Sequence, residues 1–334
     1  MKILVAFLLA FAVCIIVGPW TIKLMQKLHF GQQVRDDGPA SHLKKQNVPT
    51  MGGIMMVLAL LVTALVFRFR GSALIATLAT VGYGLVGFLD DIIKIIKKRS
   101  LGLRAYQKII GQFGIALIVS IYAYKSEFIG SSILIPFVGA VDLGIWYIPF
   151  AMFVVLAIVN GENLADGLDG LASRMTLVEG ITLAIIIMFA YMNNSALVNN
   201  KAYTADQTQL AALAMAMAGA CLGFLRFNTY PARIFMGDTG ALALGGCIAV
   251  CALFSRMAIL LPVMCIMLVA TCISVILQVG SFKLRHGKRI FKMAPLHHHY
   301  ELLGYHETTV TSMYTLITIV ACVITLMLAY VSVK

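Results

Sequence analysis

Long apolar runs follow one another along nearly the whole chain, more than any soluble core could bury. A membrane-spanning helix needs about 20 predominantly apolar residues. Ten such runs occur, at 3–22, 51–67, 72–89, 109–124, 145–160, 172–192, 208–225, 239–254, 257–280 and 309–333. The fifth and eighth are short enough to be partly re-entrant. The stretch 133–144 is apolar too, but Pro136 and Gly139 break it, so a loop or small hairpin is expected there. Composition points the same way: 60% of the 334 residues are hydrophobic and 12% are charged. An average soluble domain carries roughly 25% charged residues. The expected fold class is an all-α integral membrane protein of about ten transmembrane helices, one polytopic domain over 1–334.

The first run follows Lys2 and has the look of a secretory signal. No small-x-small cleavage site succeeds it, however, and Lys23 and Lys27 flank it. It is read as the first span. With inter-span loops numbered in order and Arg174 counted in the fifth, the odd loops hold 19 of the 26 Lys and Arg. By the positive-inside rule the odd loops are cytoplasmic and both termini face outward. Topology and attraction to anionic lipid thus account for most of the net charge of +12. Nucleic-acid binding would need a soluble basic face with stacking aromatics, which the pattern lacks. The seven cysteines lie inside spans without CxxC spacing, so they read as packing residues.

Acids and imidazoles are more telling, because Asp and Glu contribute little to orientation. Ten of the 14 acids and all seven histidines lie in the odd loops. An apolar protein that gathers such groups on one face has reason to build a site there.

Five clusters stand out. Lys44-Lys45 leads through Pro49-Thr50-Met51-Gly52-Gly53 into the second span, as a phosphate-directed cation or as a plain topological anchor. Asp90-Asp91-Ile92-Ile93-Lys94 ends the third span. Adjacent carboxylates diverge by about 100° on a helix, so Lys94 cannot easily satisfy both. Asn160 to Gly170 carries Glu162, Asn163, Asp166, Asp169 and three glycines, which predicts an irregular segment; its spacing does not match an EF-hand. Asn228 to Gly240 places Asp238 between glycines at the mouth of the eighth span, where it could be a metal ligand or only a helix cap. Last, Met293 to Glu301 holds His297-His298-His299. Consecutive imidazoles diverge and cannot converge on one zinc, so they are read as donors to phosphate or sugar oxygens.

Carboxylates for a hard cation, cationic clamps and glycine turns are the parts needed for displacement at phosphorus. Mg²⁺ fits such a set, being held by one or two carboxylates plus substrate phosphates. A site at the membrane implies a lipid substrate. A transporter would instead carry ionisable groups in mid-span, where only Glu179 is found.

DDIIK, NLADGLDGLA, FNTYPARIFMGDTGALALGG and MAPLHHHYE resemble the motifs of the polyprenyl-phosphate N-acetylhexosamine-1-phosphate transferases. PTMGG and the three histidines after MAP resemble the branch that uses a MurNAc-pentapeptide donor. The likeness runs in order from about residue 20 to 305. It implies ten spans, a cytoplasmic-face site in the cell membrane, and commonly a homodimer. It further implies Mg²⁺-dependent transfer of phospho-MurNAc-pentapeptide from UDP-MurNAc-pentapeptide to undecaprenyl phosphate. The products would be lipid I, of peptidoglycan synthesis, and UMP. By motif, Asp238 would be the Mg²⁺ ligand, Asp90 would deprotonate or orient the lipid phosphate, and Asp91 would stand close by. Phe235 would stack on uracil. Asn163, Asp166, Asp169 and Asn228 would hold nucleoside and diphosphate, while Lys45, Lys94, His297, His298 and His299 would supply cationic or donor contacts. The chain departs from the family pattern at Asn47-Val48, at Gly161-Glu162 and at Gly304 to Thr309, changes that concern the sugar or peptide side. A sister activity on UDP-GlcNAc is the rival reading.

Overall fold

The computed structural model describes residues 1–28, 48–97, 101–194 and 197–332. Among these, nine helices are long and apolar enough to cross a membrane. They are α1 (Lys2–Lys27), α3 (Gly71–Ile96), α4 (Ala105–Lys125), α5 (Tyr147–Ala165, extended to Gly144 by a 3₁₀ turn), α6 (Leu171–Met192), α7 (Lys201–Asn228), α8 (Gly237–Phe254), α10 (Ile266–Leu284) and α12 (Glu307–Ser332). Three shorter helices, α2 (Gly53–Val66), α9 (Leu261–Met264) and α11 (Leu296–Leu302), complete the set.

The arrangement is that of a protein dissolved in lipid. Every residue of α8 from Thr239 to Phe254 is buried, and α7 is nearly as enclosed. Leu8, Ile16, Ile110, Ile118, Ile276, Leu277, Leu316, Val320 and Met327 on the surrounding helices point outward and are exposed. In water such a surface would aggregate, whereas in a bilayer it needs no partner. The chain is an all-α, multi-pass membrane protein. Within the bundle, small residues bring backbones together. A Cβ on Gly87 of α3 would lie 2.1 Å from the carbonyl oxygen of Asp238, so only glycine lets α3 approach α8 at the level of the acids.

Three sequence expectations change in detail, and the hairpin allowed for at 133–144 is found. The run 51–67 forms only the 14-residue α2, about 21 Å long. Its entry is held by backbone pairing with the 235–236 segment: Gly52 N donates to Phe235 O at 2.8 Å and Phe235 N to Pro49 O at 2.8 Å. The run 257–280 is not one helix; it breaks at Cys265 between α9 and α10. The segment 160–170 is irregular only from Asp166 to Gly170, because α5 continues through Asn160, Gly161 and Asn163. Gly161 faces α10, where a Cβ would lie 3.3 Å from Cys272 Sγ and 3.4 Å from Leu268 Cβ. The stretch 133–144 is a hairpin, β1 (Ser132–Ile135) antiparallel to β2 (Gly139–Asp142).

Candidate active site

The last turns of α3 deliver Asp90 and Asp91 to the mouth of α8, and their divergence around the helix gives them different partners. Asp91 turns to the start of α8. Its Oδ1 accepts from the Asp238 N–H at 3.2 Å, and its Oδ2 accepts from the Thr239 N–H at 2.9 Å and hydroxyl at 2.7 Å. The residue preceding α8, Met236, supplies no side-chain cap. Asp91 therefore caps α8 from a neighbouring helix, satisfying N–H groups that a helix start leaves unpaired. Asp90 faces the following loop, where Leu103 N donates to its Oδ1 at 2.8 Å and Lys94 Nζ stands 2.6 Å from its Oδ2.

With the cap supplied by Asp91, the Asp238 carboxylate is released for other contacts. Its Oδ2 lies 2.6 Å from Lys108 Nζ and 3.1 Å from Lys94 Nζ. Its Oδ1 accepts from Asn163 Nδ2 at 3.0 Å, while Asn163 Oδ1 accepts from Lys108 Nζ at 3.0 Å. Carboxylate oxygens of Asp90, Asp91 and Asp238 all lie within 4.8 Å of one another. This all-oxygen donor set suits a hard divalent cation. Charge favours one as well, since Lys94 and Lys108 face three carboxylates. Asp166, in the turn after α5, adds a fourth acid. Burial raises its carboxyl well above the usual range, and the neighbouring Glu162, Asp238, Asp91 and Asp169 push it further.

The rest of the expected residues form a frame around this centre. Asn228 accepts from Gly170 N at 3.1 Å and from the Ser173 hydroxyl at 3.3 Å, and donates to Ile234 O at 2.9 Å. Its amide is engaged by the protein, tying the 166–170 turn to the 229–236 loop. Asp169 reinforces that tie: its Oδ2 accepts from Ala232 N at 2.9 Å and its N–H donates to Glu307 Oε1 at 2.6 Å. Phe235 has a half-buried side chain, and its backbone orders the Pro49–Gly53 entry. The three histidines fan out from α11, as their spacing requires. His297 is buried against the 166–170 turn, where a Cβ on Gly167 would stand 2.1 Å from its Nε2. His298 Nδ1 pairs with Glu301 at 2.8 Å, and His299 Nδ1 accepts from Lys292 N at 3.1 Å. Lys45 lies outside the described residues.

Sequence reasoning missed Lys108, Thr239 and Glu307. Lys108 had a detectable signal: it sits in the first turn of α4, where the helix dipole disfavours a cation, so another interaction must hold it there.

The family model for glycosyl transferase family 4 matches residues 73–256, from α3 through α8. A phospho-N-acetylmuramoyl-pentapeptide-transferase of Clostridioides difficile (strain 630) is 46% identical over 315 residues, 94% of this chain and 93% of its own length. One from Clostridium perfringens (strain SM101 / Type A) is 47% identical over 326 residues, 97% of this chain and 95% of its own. The chain belongs to the phospho-N-acetylmuramoyl-pentapeptide-transferase family. A third member, from Thermoanaerobacter sp. (strain X514), is 45% identical over 96% of each chain. Membership makes the protein an enzyme, a phosphotransferase. The matched region of the family model takes in Asp90, Asp91, Asp238, Lys94, Lys108 and Asn163 and stops short of the histidines.

Proposed function

We propose that the chain transfers phospho-MurNAc-pentapeptide from UDP-MurNAc-pentapeptide to undecaprenyl phosphate, with Mg²⁺, giving lipid I and UMP. The observation that carries this reading is the convergence of three carboxylates and two lysines on one point at the end of a membrane helix. In the reaction, an oxygen of the lipid phosphate forms a bond to the sugar-linked phosphorus. The bond from that phosphorus to the UMP oxygen breaks, and UMP leaves with the electron pair. When bound, Mg²⁺ would be held by Asp238 and would neutralise charge on the diphosphate oxygens. Lys94 and Lys108 hold phosphate charge, and Asn163 fixes the orientation of the Asp238 carboxylate. Asp90, kept in place by Leu103 N–H, takes the proton of the lipid phosphate or orients its oxygen. Asp91 fixes α8 and so the position of Asp238.

The site is proposed to face the cytoplasm, with both termini outward, because the odd loops hold 19 of the 26 Lys and Arg. Termini on the same side need an even number of crossings, so α2 is counted as a crossing beside the nine longer helices. The homodimer implied by the family resemblance belongs to the same proposal.

The test uses purified protein with undecaprenyl phosphate and Mg²⁺, offered UDP-MurNAc-pentapeptide or UDP-GlcNAc in parallel. UMP release from the first donor alone is expected. Release from UDP-GlcNAc alone would assign the chain to the sister activity, and no release from either would remove the reading.

A further inference from the structure

Two more acids lie inside the bundle, and neither belongs to the centre described above. Glu162 of α5 and Glu179 of α6 are both fully buried. Thr176, one turn before Glu179 on α6, donates its hydroxyl to Glu162 Oε1 at 2.7 Å. Among the described residues, Glu162 Oε2 and both oxygens of Glu179 meet no N–H or O–H donor, and the polar neighbour of Glu179 is the weakly donating Cys265 thiol. No lysine, arginine or histidine pairs with either acid among the described residues. The wall around them is close: a Cβ on Gly245 of α8 would stand 3.0 Å from Glu162 Cβ. A second feature lies at the same place. The Cys265 side chain faces Glu179, and at Cys265 the helix run breaks between α9 and α10 (φ −99°, ψ 36°). Irregular backbone within a membrane bundle exposes carbonyl oxygens, and such breaks beside buried acids are where membrane proteins hold small cations.

Two buried carboxylates without a counter-charge are not tolerated in a bilayer interior. Protons alone would remove the charge but leave new O–H groups and carbonyls equally without partners. A divalent ion fits poorly. Ca²⁺ takes about 6–8 oxygens and Mg²⁺ keeps several waters, whereas the chain offers three open carboxylate oxygens and one hydroxyl. We propose that Glu162, Glu179 and Thr176, beside the Cys265 break, bind one Na⁺, the remaining negative charge being neutralised by a proton retained on the pair. The bound ion would join α5, α6 and the α9–α10 break, with Glu162 one turn before Asp166. The site is independent of the proposed reaction.

The test is thermal unfolding of the purified full chain at constant ionic strength and constant MgCl₂, with choline chloride replaced stepwise by NaCl. The midpoint should rise saturably by about 2–5 °C. Glu179→Gln and Thr176→Val should lose the response, while Glu179→Gln retains UMP release. Equilibrium dialysis with radioactive sodium should find one ion per wild-type chain, a reading that does not depend on the variants folding. Equal midpoints in sodium and choline, or no bound sodium, would overturn the proposal and leave a protonated or hydrated pair in its place. So would a Glu179→Gln protein that responds like the wild type.

Discussion

Asp238 is gripped by two lysines and an asparagine, whereas Glu179, two helices earlier in the chain, meets no N–H or O–H donor on either oxygen among the described residues. Both are acids in an apolar bundle, and burying either charge costs several kcal/mol unless it is answered. At the mouth of α8 the chain supplies most of the answer itself: Lys94, Lys108, Asn163, Leu103 N–H and the first N–H groups of α8 each meet an acid. A centre held this way keeps its geometry while phosphates come and go. At Glu162 and Glu179 the described residues supply the Thr176 hydroxyl and the Cys265 thiol but no cation, so under the proposal the answering charge comes from solution.

Removing one of the internal answers should make the first region behave like the second. Lys108→Met deletes the ammonium 2.6 Å from Asp238, and turnover should fall about 10²–10³-fold, the usual loss for a positioned charge donor. Steady-state UMP release measures it; a change below tenfold would mean Lys94 alone suffices. Asp91→Ala should act mainly through structure, by uncapping α8. Stability should drop by about 0.5–2 kcal/mol, read by thermal unfolding, with turnover falling alongside because Asp238 loses its fixed place. A variant that lost turnover at wild-type stability would make Asp91 a direct participant instead.

The smallest effect concerns Asp166. Its carboxyl titrates above the ordinary value in the folded state, so its contribution to stability is present below the unfolded pKa of about 3.9. That contribution is lost as the pH rises through the raised folded value. Asp166→Asn should therefore unfold at a slightly higher temperature than wild type at neutral pH without Mg²⁺, and the difference should vanish in acid. Parallel melts across pH test this, and a variant less stable at neutral pH would contradict the assigned direction.

Much of this was legible in the chain itself because lipid imposes a simple rule on composition. The apolar runs marked the long helices, and among the acids of the odd loops were Asp90, Asp91 and Asp238, which meet at the mouth of α8. What composition could not convey was backbone geometry. The run 257–280 is uniformly apolar, so nothing in it announces the break at Cys265. The run 51–67 has a spanning length, but pairing of Gly52 with Phe235 consumes its start. Asn160 to Asn163 looked irregular because glycine and polar residues crowd there, yet α5 runs on through them to Ala165 with Gly161 facing α10. For Asp238, sequence left cap and ligand equally open. The distinction needed a residue 147 positions away, Asp91, whose carboxylate takes the cap. Lys108 was read as one more topological cation, although its place against the α4 dipole singled it out.

The central claim is that Asp238, once relieved of capping by Asp91, is the carboxylate on which Mg²⁺-dependent transfer depends. Asp238→Asn tests it most directly, in an assay of UMP release from UDP-MurNAc-pentapeptide and undecaprenyl phosphate across a Mg²⁺ titration, alongside thermal unfolding. The expected result is loss of release at every Mg²⁺ concentration with unfolding close to wild type. Retained Mg²⁺-dependent release would contradict the account.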